Sequence, residues 1–318
     1  MSFKAKPLFA ALMVAGTLML SACNDDQSNA QQADTSQVSA EQQDIAKYNV
    51  FVEAANGQNF AKALMDHQKF YGDKIKHKKP LTEYSVVYPY NVKVQRENLE
   101  KALAMKGNLP ELDAAAKPLR DALAKLEPIN AELHNYEQSK GYLSDNGKKA
   151  QEKDAEYVAD LTEVVKAQDV FLDAIIKRDE INTRTAFEEA EKGTEDYYRA
   201  GMILYAKEAV RRSDDFFATA GEQKAADAFK ESLDKTGEMV EGWNAKKTEG
   251  GSQECSNVLL PANSFLSSGR DAIAHAAQGD YKRQSGMMQM MMNTRTLDED
   301  SVSRNFDSLI NALNQHRC

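Results

Sequence analysis

The sequence is poor in the residues that interrupt helices. Its 318 residues include only 7 prolines and 16 glycines, and aromatic side chains make up 8% of the chain. Hydrophobic residues account for 42% and charged residues for 28%, so the chain can bury a core and is not disordered as a whole. This composition is typical of an all-α protein.

Basic residues are in the minority. There are 40 lysines and arginines against 49 aspartates and glutamates, which gives a formal net charge of -9 at pH 7. A nucleic-acid-binding protein needs a basic stripe or patch. We therefore expect no nucleic-acid partner.

The usual local signatures of catalysis are also missing. The sequence has no glycine-rich phosphate loop, no H-E-x-x-H and no G-x-S-x-G nucleophile elbow. No two of its five histidines lie four residues apart. A catalytic site assembled from distant residues remains open, but these absences favour a protein that is not an enzyme and carries no cofactor.

The amino terminus carries the clearest signal. Lys4 and Lys6 precede an apolar run over residues 7–20, which is shorter than the roughly 20 residues that span a bilayer as a helix. The run has the pattern of a secretory signal peptide. It ends in Leu20-Ser21-Ala22-Cys23, which resembles the bacterial lipobox, and the resemblance implies cleavage before Cys23 and acylation (diacylglyceryl and palmitate chains) of that cysteine.

This pattern divides the chain into three parts. Residues 1–22 are the predicted lipoprotein signal peptide, residues 23–43 the lipidated cysteine with a flexible polar tether, and residues 44–318 a helical domain. Asn24 in place of aspartate follows the sorting pattern of outer-membrane lipoproteins in enteric bacteria. We therefore expect a lipid-anchored protein of the cell envelope, on the outer membrane and facing the periplasm.

Two cysteines remain after Cys23, at positions 255 and 318. Because the periplasm is oxidising, an even pair there usually closes a disulfide. We expect a Cys255–Cys318 bridge, and two free thiols are the alternative.

Apolar residues recur with a helical period from Ile45 onwards. The pattern predicts an all-α bundle of about seven to nine helices, which may be compact or elongated, as one domain or as two sub-bundles that divide near residue 145 or 250. The longest predicted helix covers residues 150–192, and segment 85–90 (SVVYPY) is predicted to be an extended loop. Pro118 and Pro128 interrupt an apolar stripe over 110–143, so a kink or break is expected there.

Three side-chain groups are candidates for sites. A methionine cluster suits a flexible core, a partner-binding surface or, since thioethers are soft ligands, a copper site; it comprises Met287, Met288, Met290, Met291 and Met292. His134 and Glu137 lie one helical turn apart and could offer two metal ligands, but a solvated face or an interhelix contact is the favoured interpretation. A third group flanks the predicted turn at 144–149 and is expected to form interhelical hydrogen bonds: Tyr136, Tyr142, Asp145, Asp154 and Tyr157.

Three longer segments resemble the YiiG-like family of bacterial lipoproteins, which contain a domain of unknown function. They are KYNVFVEAANGQNFAKALMDHQKFYGD (47–73), YEQSKGYLSDNGKKAQEKDAE (136–156) and GTEDYYRAGMILYAKEAV (193–210). The resemblance implies an all-helical envelope lipoprotein and carries over no catalytic residue. Two functions stay open: a non-enzymatic bundle that binds an envelope protein or cell-wall component, and a periplasmic module that binds a small ligand or copper.

Overall fold

A computed structural model describes residues 39–249, 255–281 and 293–315. Within these ranges the chain is all-α and contains no strand, which confirms the predicted fold class. The helices are α1 (Ala40–Ala55), α2 (Phe60–His67), a π-helical turn (Gln68–Gly72), α3 (Asp73–Lys76), α4 (Pro89–Ala104), α5 (Pro110–Gln138), α6 (Gly141–Ser144), α7 (Lys148–Glu189), α8 (Glu195–Ala218), α9 (Gln223–Thr248), α10 (Ser256–Ala277) and α11 (Thr294–Asn314).

The chain divides into two compact units, Met1–Lys177 and Arg178–Cys318. The division falls inside α7 and not in a turn. No proline or glycine interrupts that helix, so the sequence offers no local sign of the boundary.

The N-terminal unit is built around α4, which packs against both α1 and α5. The first part of α7 contributes buried side chains to the same core. Phe51 of α1 and Phe171 of α7 meet edge to face, with their ring centroids 5.9 Å apart. Both rings are fully buried, so the core joins the beginning of the unit to its end.

Helix α1 begins with a capping box. The Ser39 hydroxyl accepts from the Gln42 N–H, and the Gln42 side chain accepts from the Ser39 N–H. Residues 40–43, which the sequence pattern assigns to the tether, therefore form the first turn of α1.

Two buried glutamines hold the turn between α1 and α2, where the sequence pattern predicts one helix running past Gly57. Gln95 donates to Ala54 O and accepts from Gln58 N, and Gln168 donates to Gln58 O and accepts from Phe60 N. The amides thus replace hydrogen bonds that a continuous helix would make. A Cβ on Gly57 would lie 2.7 Å from Gln95 Oε1, so glycine allows the close approach.

Helix α5 runs without a break through Pro118 and Pro128, so the break that the sequence led us to consider does not form. Both prolines and the residues four positions earlier, Ala114 and Ala124, are exposed. Each proline lacks the N–H that would bond to the carbonyl group four residues earlier. These carbonyl groups lie on the solvent side of the helix, where water can take the place of the missing N–H. The opposite side of α5 buries a row of leucines.

Residues 85–88 are extended, as predicted, whereas Pro89 and Tyr90, which the prediction placed in the same loop, begin α4. The whole extended segment before α4 is 81–88. Its buried residues are Leu81, Tyr84 and Val87, a spacing of three that matches a polyproline-like chain better than the two-residue repeat of a strand. The Val87 backbone is fixed on both sides, because its N–H donates to Tyr157 Oη and its carbonyl accepts from Asn130 Nδ2.

Asp145 marks the start of α7. Its carboxylate accepts from the backbone N–H groups of Gly147, Lys148 and Lys149 and from the Tyr136 hydroxyl, at 2.6 Å. Burial alone would raise the pKa of the Asp145 carboxyl, but these hydrogen bonds hold it below its ordinary value. The contact with Tyr136 is one of the hydrogen bonds expected around this turn.

The C-terminal unit closes on itself through its helices. Helix α8 packs against α9, α9 against α10, α10 against α11, and α11 back against α8. The end of α7 is tied to α8 by a buried ion pair, in which Lys207 Nζ lies 2.7 Å from both carboxylate oxygens of Asp179. Burial lowers the pKa of Lys207, and the charge of Asp179 opposes that change.

Candidate functional site

A cleft of about 610 Å³ opens in the N-terminal unit. Its walls are the turn before α2, one face of α2, the π-helical turn, the extended segment 81–88 and the start of α4. The lining combines aromatic rings, amides, hydroxyls and a few charged groups: Gln58, Lys62, Ala63, Asp66, His67, Phe70, Tyr71, Glu83, Ser85, Val86, Val87, Tyr88, Asn91 and Tyr157.

The clamp formed by Gln95 and Gln168 positions one wall of this cleft. By holding the backbone of Gln58, it fixes where the Gln58 side chain meets Asn91, whose Nδ2 donates to Gln58 Oε1 at 2.8 Å. Asn59 caps α2 by accepting from Lys62 N. The cleft edge at this end is therefore made of amides on a fixed backbone.

The π-helical turn forms the second wall. Such turns are rare and occur frequently at functional sites. It carries Phe70, which is 49% exposed, next to the buried Tyr71. The Tyr71 hydroxyl lies 3.3 Å from Ser85 Oγ on the extended segment, so the two walls meet there.

His67 lies where the walls converge. Its side chain is almost fully buried, and its Nε2 lies 2.8 Å from Asp154 Oδ1. Because a carboxylate accepts, the contact places a proton on Nε2. Nδ1 is buried and has no hydrogen-bond partner within the described residues.

Tyrosine rings enclose this imidazole. The ring centroids of Tyr71, Tyr84 and Tyr157 lie 5.4, 6.2 and 5.1 Å from that of His67, each edge to face. Burial raises the pKa of the Tyr84 hydroxyl, and the neighbouring Tyr157 and Asp154 raise it further. The Tyr84 phenol therefore stays neutral, and its hydroxyl is a second buried polar group with no partner among the described residues.

A second histidine–carboxylate pair lies in the C-terminal unit. His275 Nδ1 at the end of α10 lies 2.8 Å from Asp298 Oδ2 on α11, and the Tyr281 hydroxyl donates to the same oxygen. The hydrogen bond to Asp298 raises the pKa of His275, against burial, which lowers it.

Several residues predicted from the sequence lie outside the described ranges. They are Cys23, Cys318 and the methionines Met287, Met288, Met290, Met291 and Met292. Cys255 is described: it is buried and precedes the first residue of α10.

The predicted metal-ligand pair, His134 and Glu137, is in contact, with Nδ1 and Oε2 3.3 Å apart. Glu137 also accepts from the Val86 N–H. Within the described ranges, no three histidine, cysteine or carboxylate side chains are grouped so that they could hold a metal ion. In the same part of the chain, no helix is both long and apolar enough to cross a bilayer.

The central residues of the cleft were not identified from the sequence. The sequence pattern places Asp154 and Tyr157 around the turn at 144–149 and indicates no role for His67. The available signal was the i, i+4 spacing of His67 and Tyr71, which puts both rings on one helix face. His67 and its partner Asp154 on α7 are 87 residues apart in the sequence, and no local sequence pattern predicts a contact over that separation.

A model of the family described as "Protein of unknown function (DUF3829)" matches residues 42–315. The chain therefore belongs to this family. Neither a search of curated proteins nor a search of solved structures gives a significant match.

Proposed function

We propose that this protein is a lipid-anchored component of the bacterial cell envelope, of the YiiG-like kind, whose N-terminal unit binds a ligand in the cleft without transforming it. The observation that carries the binding role is the buried, unpartnered Nδ1 of His67 in the lining of an aromatic cleft. An unsatisfied buried polar atom costs about 1–3 kcal/mol. A ligand that forms a hydrogen bond with it would recover that cost.

The same geometry favours binding over catalysis. Asp154 and His67 have the arrangement of the acid and base in a nucleophilic triad. The third group is missing, since Nδ1 bonds to no hydroxyl or thiol among the described residues. The Ser85 hydroxyl on the cleft wall is paired with Tyr71 instead.

The amino-terminal sequence supports the anchor. The charged start, the apolar run and the Leu20–Cys23 lipobox agree with one another, and Asn24 favours the outer membrane. On this proposal, acyl chains on Cys23 attach the mature protein to the membrane, and the helical units reach their ligand or partner from the periplasmic side.

The binding role is tested by photo-crosslinking in living cells. A photoreactive amino acid is placed at Tyr88, which lines the cleft and is 58% exposed, or at Tyr90, which is 63% exposed and outside the lining. We expect a discrete adduct from position 88 that is absent at position 90. No adduct at 88, or equal adducts at both positions, would rule out the cleft as the binding site.

A copper-binding role for the C-terminal unit is the second candidate. The Nδ1 contact with Asp298 orients the His275 ring, as a second-shell carboxylate does for a metal-ligating histidine. In sequence, His275 precedes the methionine cluster Met287–Met292, which supplies soft ligands for Cu(I). Stoichiometric Cu(I) uptake that is lost when the five methionines become leucine would favour this role, and unchanged uptake would reject it.

A Cys255–Cys318 disulfide is part of the same proposal. In an oxidising periplasm it would attach the last residue of the chain to the start of α10. Peptide mapping without reduction tests it. A linked pair of peptides containing these cysteines is the expected product, and two alkylated cysteines would contradict the bridge.

A further inference from the structure

We infer that the ligand of the N-terminal cleft is a neutral sugar chain. This inference rests on the binding role proposed above and adds the chemical class of the ligand. Three features of the lining carry it: compensated charges, exposed aromatic rings and paired amides.

The charged side chains of the lining are already paired within the protein. Lys62 pairs with Asp66 one helical turn along, Glu83 with Lys74, and His67 with Asp154. A charged ligand binds well where the protein offers an uncompensated opposite charge. This lining offers none, so a charged ligand would gain little there and lose its hydration.

Aromatic rings at the rim supply the apolar contact that a sugar needs. Phe70 on the π-helical turn and Tyr88 on the extended segment both line the cleft and are exposed. The Tyr88 ring is supported at its edge by His134, with the centroids 5.5 Å apart, so little conformational freedom is lost when a ligand covers it. Pyranose rings present C–H faces that stack on such aromatic surfaces, which are large and rigid.

The amides supply the polar recognition. A sugar hydroxyl both donates and accepts, and so does a carboxamide. Asn91 uses one N–H on Gln58 and retains its carbonyl oxygen and second N–H for a ligand. His67 Nδ1, which has no partner among the described residues, can pair with a sugar hydroxyl, because a hydroxyl both donates and accepts. The volume of about 610 Å³ lies within the range of small-ligand sites, about 300–1,000 Å³.

The test is isothermal titration calorimetry on the full chain, purified in a detergent whose head group is not a sugar. The probes are neutral oligomers of β-1,4-linked N-acetylglucosamine, β-1,4-linked glucose and α-1,4-linked glucose, with an oligogalacturonate as the acidic counterpart. We expect at least one neutral oligomer to bind and the acidic one not to. Tyr88→Ala should weaken binding by roughly tenfold, the loss of one stacked ring. Leu260→Ala, at an exposed position in the C-terminal unit, should leave it within about twofold.

The outcomes separate this inference from the proposed function. If no neutral oligomer binds while the crosslink from position 88 captures a protein, the sugar assignment is wrong and the binding role stands. If neither is observed, both are wrong. Sugar binding that Tyr88→Ala leaves unchanged would overturn the assignment of the sugar to this cleft, and circular dichroism of the variant confirms that it is folded.

Discussion

Single polar side chains fix the backbone where the apolar pattern alone would not. Gln168, on α7, is buried and satisfies both a backbone donor and a backbone acceptor of the turn between α1 and α2. Replacing it with an apolar side chain leaves both groups unpaired. The cost of such unpaired groups exceeds the net gain of a single exposed hydrogen bond.

We therefore expect Gln168→Leu to destabilise the turn by about 2 kcal/mol or more. Hydrogen exchange of the amides at 56–62 measures the effect directly, as faster exchange. Gln138→Leu, at an exposed position at the end of α5, is the matched control and should leave these amides unchanged. Equal exchange in the two variants would show that the glutamine clamp contributes little.

The pair of His275 and Asp298 makes the C-terminal unit pH-dependent. Its hydrogen bond raises the folded-state pKa of His275 above the ordinary value of 6.5. The stabilisation is complete below the unfolded pKa and is lost as the pH rises through the folded pKa. The free energy of unfolding should therefore fall as the pH rises above the ordinary histidine pKa of 6.5.

Trp243 reports this unfolding, because it is the only tryptophan in the sequence and is buried in α9. We follow denaturation by its fluorescence. In Asp298→Asn, the free energy of unfolding should no longer decrease as the pH rises. Asp300→Asn, an exposed change on the same helix, should keep this decrease. A pH slope that persists in Asp298→Asn would assign the effect to other groups.

Contacts between polar side chains can be predicted from the sequence only where the two partners lie close together along the chain. The contact between Tyr136 and Asp145 bridges a short turn, and the aromatic and acidic residues around that turn indicated it. The pairing of His67 with Asp154 depends on where α2 meets α7. Sequence spacing does not encode that meeting point, since it follows from the packing of the whole unit.

At the scale of secondary-structure elements, the spacing of apolar residues predicts well where an element lies and whether it is helical. It predicts poorly where a helix is interrupted. The extended segment before α4 and the long helix α7 were both predicted from apolar spacing and breaker residues. The π-helical turn was not, because a single wide turn of five residues, Gln68–Gly72, is too short to be recognised in the spacing of apolar residues. The continuity of α5 was also missed, because tolerance of Pro118 and Pro128 depends on which side of the helix faces water.

Asp145 gives a test at this scale, because it satisfies three N–H groups at the start of α7. We expect Asp145→Ala to lower the free energy of unfolding by about 1–2 kcal/mol. Asp145→Asn keeps an acceptor oxygen and should cost less. Urea denaturation followed by circular dichroism compares the two, and identical losses would argue against a capping role.

The lowered pKa of Asp145 predicts how the effect of Asp145→Ala changes at acid pH. A carboxyl with a lowered folded-state pKa stabilises the fold above its unfolded pKa and loses that contribution as the pH falls. The difference between the original protein and Asp145→Ala should therefore shrink below about pH 4. A difference that stays constant down to acid pH would contradict the charged cap.

At the scale of the whole molecule, the proposed anchor predicts where the protein is found. Acyl chains contribute about 0.8 kcal/mol per buried CH₂, so Cys23→Ser should move the protein from the membrane fraction to the soluble fraction. Ser36→Ala, in the predicted tether, should leave it on the membrane. Fractionation with metabolic labelling by a fatty-acid analogue measures both, and a Cys23→Ser protein that stays on the membrane would reject lipid anchoring at this cysteine.

The two exposed prolines of α5 have a consequence for biogenesis. A helix with two interior prolines has little stability on its own, so α5 is helical because its leucine face is buried in the N-terminal unit. A chain exported as proposed above crosses the inner membrane unfolded. Pro118 and Pro128 would keep this segment from forming a helix during translocation. The helix would form only after the rest of the N-terminal unit has crossed the membrane.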